Sequence, residues 1–287
     1  TYDSSGTYST NVGSNNNYSL DFDGLNQEIN LNPTQDFSFQ NLFSFEAWVK
    51  IPVGGNNSPW SSVIGGYTDY GMLIYAGGQY YGQSSGSVFV ELINLTPSQQ
   101  ITGTTDLRDN IWHHIAVTYD GINVKIYVDG IMENSVNRTG NINSNTNFTN
   151  PLKIGAANHS STENFKGNIK NIEMWNTCLT NQEIQQYMNC PPTGNESGLV
   201  GYWNFEEGSG NTALDLTSNG NDGTINGATY DTNVPSQSCA LTNANGCDSI
   251  AILNLTINQA DTSYTNITAC DSVVWNGTTY DSSGTYS

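Results

Sequence analysis

The sequence predicts an all-β protein, a sandwich of two sheets with one short helix. Three observations lead to this prediction. Apolar and polar residues alternate with a period of two through much of the chain, turn residues separate these stretches, and only one segment has helical periodicity. Short strands separated by regular turns are typical of a sandwich.

The alternating stretches give the strands in order. Residues 18–22 (YSLDF), 43–49 (FSFEAWV) and 112–119 (WHHIAVTY) each place apolar side chains on one face, as half-buried strands do. Two Asp-Gly dipeptides, at 120–121 and 129–130, bracket another short alternating stretch. Because Asp-Gly favours two-residue hairpin turns, we expect two consecutive hairpins here.

The helix is expected at residues 179–188 (LTNQEIQQYM). Thr180 and Glu183 have the spacing of a capping box, in which each side chain bonds to the backbone of the other residue. The prolines at 191–192 end the segment. Its expected buried stripe consists of Leu179, Ile184, Tyr187 and Met188.

The charge is strongly unbalanced. The chain has 26 acidic and 7 basic residues, a net charge of −19, and no Lys or Arg follows Lys170. Because nucleic acids and anionic membrane surfaces are bound through cations, we expect no nucleic acid partner and no membrane insertion. Divalent cations are compatible partners, and the simpler interpretation of the acidity is a solubilising surface.

The first nine residues occur again at the end of the sequence. TYDSSGTYS occupies positions 1–9 and 279–287, and an identity of this length indicates a module that recurs in a longer chain. Such repetition is more typical of surface fibres and adhesins than of enzymes.

Composition divides the chain further, since the sequence becomes rich in Thr, Asn and Ser near its end. We expect three parts: the terminal strand of a preceding small β repeat (1–11), a large sandwich domain (12–238) and a small β repeat module that serves as linker or stalk (239–287). The alternative is that the large domain is inserted into one small module, between Ser9 and Leu241.

Five blocks of sequence carry a family resemblance: FSFEAWVK (43–50), WHHIAVTYDG (112–121), IYVDG (126–130), LKIG (152–155) and FKGNIKNIEMWN (165–176). In order and spacing they resemble the laminin-G-like, concanavalin-A-type jelly-roll domains, over about residues 12–235. The resemblance implies a jelly-roll sandwich with a short helix after the last block. The stretch 199–228 resembles the opening segment of many members, and we expect it to complete the sandwich rather than to begin a second copy.

The end of the chain has a resemblance of its own. TNANGCDSIAILNLTIN (242–258) and TACDSVVWNGTTYDSSGTYS (268–287) resemble a short repeat of giant surface proteins exported by the type IX secretion system of gliding bacteria. This resemblance implies secretion and display at the cell surface or in a filament, and it implies no ligand.

Calcium is the cofactor that the sequence best accommodates. It binds six to eight hard oxygens, and residues 215–222 (DLTSNGND) place two acids and two amides around a glycine. In relatives such a loop lies near the strand that corresponds to 21–24 (DFDG). The expected ligands are Asp23, Asp215, Asn219 and Asp222. The alternative is that these are turn residues bonded to local backbone.

Aromatic residues near loops predict a carbohydrate site, because sugar rings stack on aromatic faces. Trp60 lies in the loop sequence GGNNSPW, and Tyr67 and Tyr70 flank glycine-rich turns nearby, as do Tyr80 and Tyr81. We expect Trp60, Tyr67 and Tyr70 to contact a glycan. The alternative is that the tyrosine rings pack in the core.

No enzymatic signature is found in the sequence. Glycanases that resemble this fold carry clustered carboxylates on one strand, roughly E-x-D-x-x-E, because glycoside hydrolysis needs two acids across the bond. Glu46 stands alone in its strand, and neither the pair Asp21 and Asp23 nor residues 206–207 has that spacing. We therefore expect no catalytic residues.

The five cysteines leave the disulfide connectivity open. Cys190 and Cys239 flank the stretch 199–228, so a bridge between them would tie that stretch to the sandwich. Cys247 and Cys270 belong to the two parts of the small repeat and pair either with each other or with neighbouring copies. Cys178 is left over, and we expect it to be buried.

These observations predict a structural and adhesive repeat unit of a long extracellular filament or cell-surface adhesin. Its partners would be other copies of itself. The alternative is a lectin-like carbohydrate-binding module, assisted by calcium, whose partners are surface glycans.

Overall fold

The computed structural model describes residues 6–9, 16–32, 37, 39–55, 60–79, 86–97, 100–143, 148–237, 239, 241–242, 248–249, 252–255, 272–275 and 277–281. The chain divides into two compact units. The large unit is Asn11–Ala240, and the small unit combines Thr1–Thr10 with Leu241–Ser287. Within the described residues, no helix has the length and hydropathy needed to cross a membrane.

In chain order the first strands are β1 (Gly6–Ser9), β2 (Ser19–Asp23), β3 (Glu28–Leu31), β4 (Phe43–Lys50), β5 (Ser62–Gly66), β6 (Met72–Ala76), β7 (Val88–Leu92), β8 (Ile101–Thr102), β9 (Trp112–Tyr119), β10 (Asn123–Val128) and β11 (Ile131–Asn137). The later strands are β12 (Leu152–Ile154), β13 (Lys166–Trp175), β14 (Leu199–Trp203), β15 (Thr212–Ala213), β16 (Gly223–Asn226), β17 (Thr229–Asp231), β18 (Leu241–Thr242), β19 (Asp248–Ser249), β20 (Ile252–Leu255), β21 (Val273–Trp275) and β22 (Thr278–Tyr280). The helices are α1 (Tyr67–Tyr70) and α2 (Asn181–Asn189).

The large unit is a sandwich of two antiparallel sheets, each with eight strands in the described part of the chain. The first sheet has the order β11-β10-β9-β4-β13-β2-β17, and β14 also pairs with β13. The second sheet has the order β15-β16-β3-β12-β5-β6-β7-β8. The chain crosses repeatedly between the sheets, as in a jelly roll, so the predicted fold class is confirmed.

Period-two alternation builds the core between the sheets. On β4, Phe43, Phe45 and Val49 belong to the central hydrophobic cluster, and on β6 Met72 and Ile74 belong to the same cluster. All five are completely buried. Since burying one such side chain stabilises the fold by about 1.5–3 kcal/mol, these alternating residues supply the main driving force for folding.

Strand β13 joins the early and late parts of the large unit. Its first half pairs with β2 and its second half with β14, while β16 pairs with β3 and β17 with β2. The late stretch therefore adds strands to both sheets, which confirms that it completes the sandwich. Both predicted hairpins are also confirmed, since β9, β10 and β11 pair in succession through the two Asp-Gly turns.

Helix α2 begins as predicted and covers the outer face of the first sheet. Thr180 caps it, and Glu183 completes the capping box. Ile184 is completely buried in a cluster with Trp175 of β13, and Tyr187 stacks on Trp175 with ring centroids 4.8 Å apart. Helix α1 is a single turn that the sequence did not predict, because four residues are too few to show helical periodicity.

A disulfide between Cys190 and Cys239 joins the end of α2 to the segment after β17. The bridge spans 49 residues, and closing a loop of that size stabilises a fold by about 4 kcal/mol in the chain-entropy model. Cys178 is unbridged, and it is half-buried rather than buried as expected. Cys247 and Cys270 lie outside the described residues.

In its described residues, the small unit has short antiparallel strand pairs. Strand β1 pairs with β20, β18 with β19, and β21 with β22, the last pair in a hairpin that passes through Gly277. The pairing of β1 with β20 joins residues 6–9 to residues 252–255 of the same unit. The boundaries of the repeat itself stay a prediction.

Candidate functional site

The second sheet has an aromatic cluster on its outer face. On β6 and β7, the residues between the core-facing ones point outward, which places Leu73, Tyr75 and Phe89 in a separate cluster. Trp60, just before β5, packs against this cluster and is half-buried. The sheet thereby holds a large aromatic ring at the protein surface.

A cavity of about 330 Å³ opens beside this cluster. It is lined by Trp60, Tyr67, Tyr75, Glu91, Gln100, His159 and Glu163. The strands of the second sheet position Tyr75 and Glu91, while the loop from β12 to β13 contributes His159 and Glu163. An isolated β-bridge between Ala156 and Asn164 closes that loop and fixes its base.

The aromatic rings of the cavity support each other. The ring centroids of Trp60 and Tyr75 are 5.5 Å apart, and those of Trp60 and Phe89 are 5.4 Å apart, both in tilted or edge-on geometries favoured by aromatic pairs. Tyr67 is 39% exposed and lies 4.5 Å from the His159 ring. These contacts restrict the rings, so little side-chain entropy remains to be lost when a ligand binds.

The polar groups of the cavity are also held in place. The Tyr75 hydroxyl donates to Glu163 Oε2 at 2.8 Å, and His159 Nε2 lies 3.4 Å from Glu163 Oε1. Gln100 Nε2 donates to Glu91 Oε1 at 3.3 Å. Carboxylate and amide groups beside aromatic faces provide both parts of a site for a polyhydroxylated ligand.

The structure brings two of the three predicted glycan residues, Trp60 and Tyr67, into this cavity. The prediction for Tyr70 is wrong, because this residue is completely buried. Its ring stacks on Phe148 with ring centroids 4.9 Å apart, and it belongs to the same core cluster as Met72 and Ile74. Tyr80 and Tyr81 lie outside the described residues.

Five lining residues were not found from the sequence: Tyr75, Glu91, Gln100, His159 and Glu163. A usable signal existed for two of them, since Tyr75 and Glu91 occupy the outward positions next to core residues Ile74 and Val90. The others follow or precede strands at distant points of the chain, and only the folded sheet brings them together.

The predicted calcium loop is a closely bonded turn. Asp215 Oδ1 accepts from the backbone amides of Tyr202 and Thr217, each at 3.0 Å, and Oδ2 accepts from the Asn221 amide at 2.9 Å. The Asp215 amide in turn donates to Asp222 Oδ1 at 2.8 Å. The bonds within residues 215–222 are those that the turn interpretation requires, and the bond from Tyr202 ties the loop to β14.

The remaining predicted ligands also form hydrogen bonds within the protein. Asn219 Nδ2 donates to the Val200 carbonyl at 3.0 Å. Asp23 ends β2 in the first sheet, where Oδ1 accepts from the Leu25 amide at 2.8 Å. Among the described residues, no group of three or more His, Cys, Asp or Glu side chains is arranged to hold a metal. Calcium binding stays a prediction.

Outside the cavity, a pair of glutamates lies beneath α2. Glu46 and Glu173 are directly opposite each other on β4 and β13 and are 0% and 2% exposed. His114 Nε2 lies 3.7 Å from Glu46 Oε1. Burial raises the pKa of both carboxyls, which also repel each other, and burial lowers the pKa of His114 to about 3. A polysaccharide cannot reach this pair while α2 covers it.

Comparison with known proteins identifies the class of fold. The laminin-G-type profile of the concanavalin A-like lectin/glucanase superfamily matches residues 22–185, more than half of the chain. The chain therefore belongs to the concanavalin A-like lectin/glucanase superfamily.

Several solved structures are similar. A proposed carbohydrate binding protein from Bacteroides ovatus aligns with a TM-score of 0.59 and 20% identity over 79% of this chain and 62% of its own. A heptameric SAP-like pentraxin from Limulus polyphemus aligns with a TM-score of 0.48 and 12% identity over 79% and 98%. The CBM40 module of the Ruminococcus gnavus IT-sialidase, bound to α2,3-sialyllactose, aligns with a TM-score of 0.44 and 13% identity over 58% and 94%.

These likenesses concern the fold alone, because all three identities are low. The chain spans less than two thirds of the length of the Bacteroides ovatus protein. Among curated protein sequences, none matches this chain significantly.

Proposed function

We propose that the large unit is a carbohydrate-binding module that takes a glycan in the cavity at Trp60. One observation carries this proposal. In a sandwich of the lectin/glucanase superfamily, three aromatic rings converge with carboxylate, amide and imidazole groups in one open cavity. A sugar ring has an apolar C–H face and polar hydroxyl groups. The cavity offers a flat apolar surface to the first and hydrogen-bonding groups to the second.

In the proposed complex, a sugar ring lies against Trp60 and Tyr67. Its apolar C–H face covers the aromatic surface and removes that surface from water, which stabilises the complex. Gln100 and Glu91 are placed to bond the hydroxyl groups at the rim. Because these protein groups are already held in position, the protein loses little conformational entropy when the ligand binds.

Binding rather than cleavage is proposed at this cavity. Glu163 is bonded to Tyr75 and close to His159, and Glu91 accepts a bond from Gln100. Both carboxylates therefore have partners that fix them as ligand-binding and positioning groups. An oligosaccharide recovered intact after long incubation with the protein would support this assignment, and cleavage products would contradict it.

We propose an extracellular location for the same protein. The Cys190–Cys239 disulfide supports it, since disulfides persist in oxidising compartments. The expected partners are then glycans at a cell surface or in an extracellular matrix. The export route implied by the resemblance of residues 242–258 and 268–287 remains part of this proposal.

The filament function is a second candidate, supported by the recurrence of TYDSSGTYS at 1–9 and 279–287. In this function, copies of the chain associate or repeat along a thread and display the large unit. Electron microscopy of the isolated protein at high concentration tests self-association. Filaments support this candidate, and monodisperse single particles contradict it.

The glycan proposal is tested by a glycan array followed by calorimetric titration, with the wild type and Trp60→Ala. We expect Trp60→Ala to reduce affinity at least about 100-fold, as removal of a central aromatic contact does at binding hot spots. The matched control is Trp112→Ala, which removes another half-buried tryptophan outside the cavity. Parallel titrations with calcium and with EDTA test the predicted cofactor.

A further inference from the structure

The cavity proposed as the glycan site has an acidic lining, and this bears on which sugars it accepts. Glu91 and Glu163 contribute two carboxylates. Of the described residues that line the cavity, none is a lysine or arginine. The chain as a whole carries a net charge of −19, so the field of the protein has the same sign as the local charge.

Basic side chains of the chain are engaged at other places. Arg108 pairs with Asp106 at 2.7 Å, and Lys153 pairs with Glu28 at 2.7 Å. Lys170 is completely buried beneath other residues. Within the cavity, the imidazole of His159 lies near the Glu163 carboxylate. Among the lining residues, Glu91 has no Lys or Arg beside it.

We propose that this cavity selects sugars with a free ammonium group, such as the glucosamine units of deacetylated polysaccharides, over neutral sugars. The same site excludes sugars with carboxylate groups. This inference rests on the proposed glycan-binding function and specifies its ligand class.

Three physical effects favour an ammonium group here. Carboxylates attract it, and hydrogen bonds between an ammonium and a carboxylate are stronger than neutral ones. Aromatic faces attract cations, and the partly exposed rings of Trp60 and Tyr67 line the cavity. A partly enclosed site screens charge less than bulk water does, so both effects gain strength.

Glu91 is the residue that decides this selectivity. Glu163 is held by the Tyr75 hydroxyl and by His159, so it mainly positions those groups. Glu91 lies on the outward face of β7, and its hydrogen-bond donor among the described residues is the neutral amide of Gln100. Its negative charge is therefore available to a ligand cation.

The test compares three β-1,4-linked oligosaccharides of equal length, made of glucosamine, N-acetylglucosamine or glucuronate. Calorimetric titrations at low salt, with the amines protonated, should give about tenfold tighter binding of the glucosamine oligomer than of the N-acetylated one. Glucuronate should not bind measurably. High salt should reduce the difference, because it screens charge.

The variant Glu91→Gln should remove the tenfold preference for glucosamine, because an amide cannot form an ion pair. Glu28→Gln, at an ion pair outside the cavity, is the matched control and should retain the preference. Thermal unfolding of both variants checks that the fold is intact.

Two outcomes overturn the inference and leave glycan binding in place. One is equal or tighter binding of the N-acetylated oligomer by the wild type, with that binding lost in Trp60→Ala. The other is a preference for glucosamine that survives Glu91→Gln. If the protein binds none of the three oligomers but binds other glycans on the array, the proposed ligand class is wrong and glycan binding itself still stands. No binding to any glycan overturns the proposed function as well.

Discussion

The two outer faces of the sandwich carry similar residues, but one face is covered by a helix and the other is open. Each has a pair of glutamates, a histidine and several aromatic rings. On the first sheet, Glu46 and Glu173 are sealed beneath α2. On the second sheet, Glu91 and Glu163 line an open cavity. The comparison teaches that the covering element, more than the residue types, decides whether such groups are buried or can contact a ligand.

The covered face is held shut by several contacts. The Cys190–Cys239 disulfide fixes the end of α2, and Trp48 Nε1 donates to the Met188 carbonyl at 3.3 Å. The carboxyl oxygens of Glu46 have no hydrogen-bond donor among the described residues, and the group beside them is the Glu173 carboxyl. Two buried carboxylates side by side are very costly, so the pair is expected to hold a proton in the folded protein.

The largest expected effect comes from removing the disulfide at the end of α2. The double variant Cys190→Ser/Cys239→Ser should lower the free energy of unfolding by about 4 kcal/mol, because the unfolded chain regains the entropy of an open loop. Urea unfolding of the wild type and the variant measures the change. Cys178→Ser is the control, since that cysteine is unbridged, and it should change stability much less. Equal losses in both variants would contradict the role of the bridge.

A smaller effect is expected from the buried glutamate pair. Because burial raises the pKa of Glu46 and Glu173, the folded state holds protons that the unfolded state releases. Stability is therefore full below the ordinary carboxyl pKa, near 4.5, and falls as the pH rises from there toward the raised folded-state pKa. Glu46→Gln should flatten this fall and be more stable than the wild type at neutral pH, because a neutral amide has no proton to release.

Urea unfolding at intervals of about one pH unit, from about pH 4 to about pH 8, measures the free energy of unfolding. This range begins near the ordinary carboxyl pKa and extends above it. Glu91→Gln is the matched control at a half-buried glutamate that lines the open cavity, and the fall of stability with pH should persist in this variant. A wild-type stability that rises with pH through this range, and rises equally in Glu46→Gln, would show that the buried pair does not govern it.

The smallest effect is expected at the start of the covering helix. Thr180→Ala removes the capping side chain that accepts from the Glu183 amide, and such a loss costs about 1 kcal/mol. Thr180→Ser keeps the hydroxyl and should restore most of the stability. Hydrogen exchange of the α2 amides reports the change locally, and unchanged protection in Thr180→Ala would contradict the importance of the cap.

Local features of the fold could be predicted from the sequence. The Asp-Gly turn at 129–130 specifies a two-residue hairpin through its left-handed backbone, with φ of 49° at Asp129 and 72° at Gly130. In the turn at 120–121 the glycine alone is left-handed, with φ of 87°. Thr180 and Glu183 specify the helix start within four residues. In each case the bonding partners are close in sequence, so the pattern contains the information.

The candidate site was only partly predictable, because its residues come from distant segments. Trp60 and Tyr67 were identified as loop aromatics, whereas His159 and Glu163 reach the cavity only after β12 joins β5. Glu46 and Glu173 become neighbours through the pairing of β4 with β13. The burial of Tyr70 could not be predicted from strand periodicity, because this residue lies in the single turn α1, before β6 begins.

The most direct test of the open face as a ligand site is calorimetric titration of the oligosaccharide that binds best on a glycan array. The account predicts saturable binding by the wild type and by Trp112→Ala, and a loss of at least about 100-fold in Trp60→Ala, because central aromatic contacts dominate binding energy. Equal affinity in the wild type and Trp60→Ala would contradict the assignment of the cavity as the glycan site.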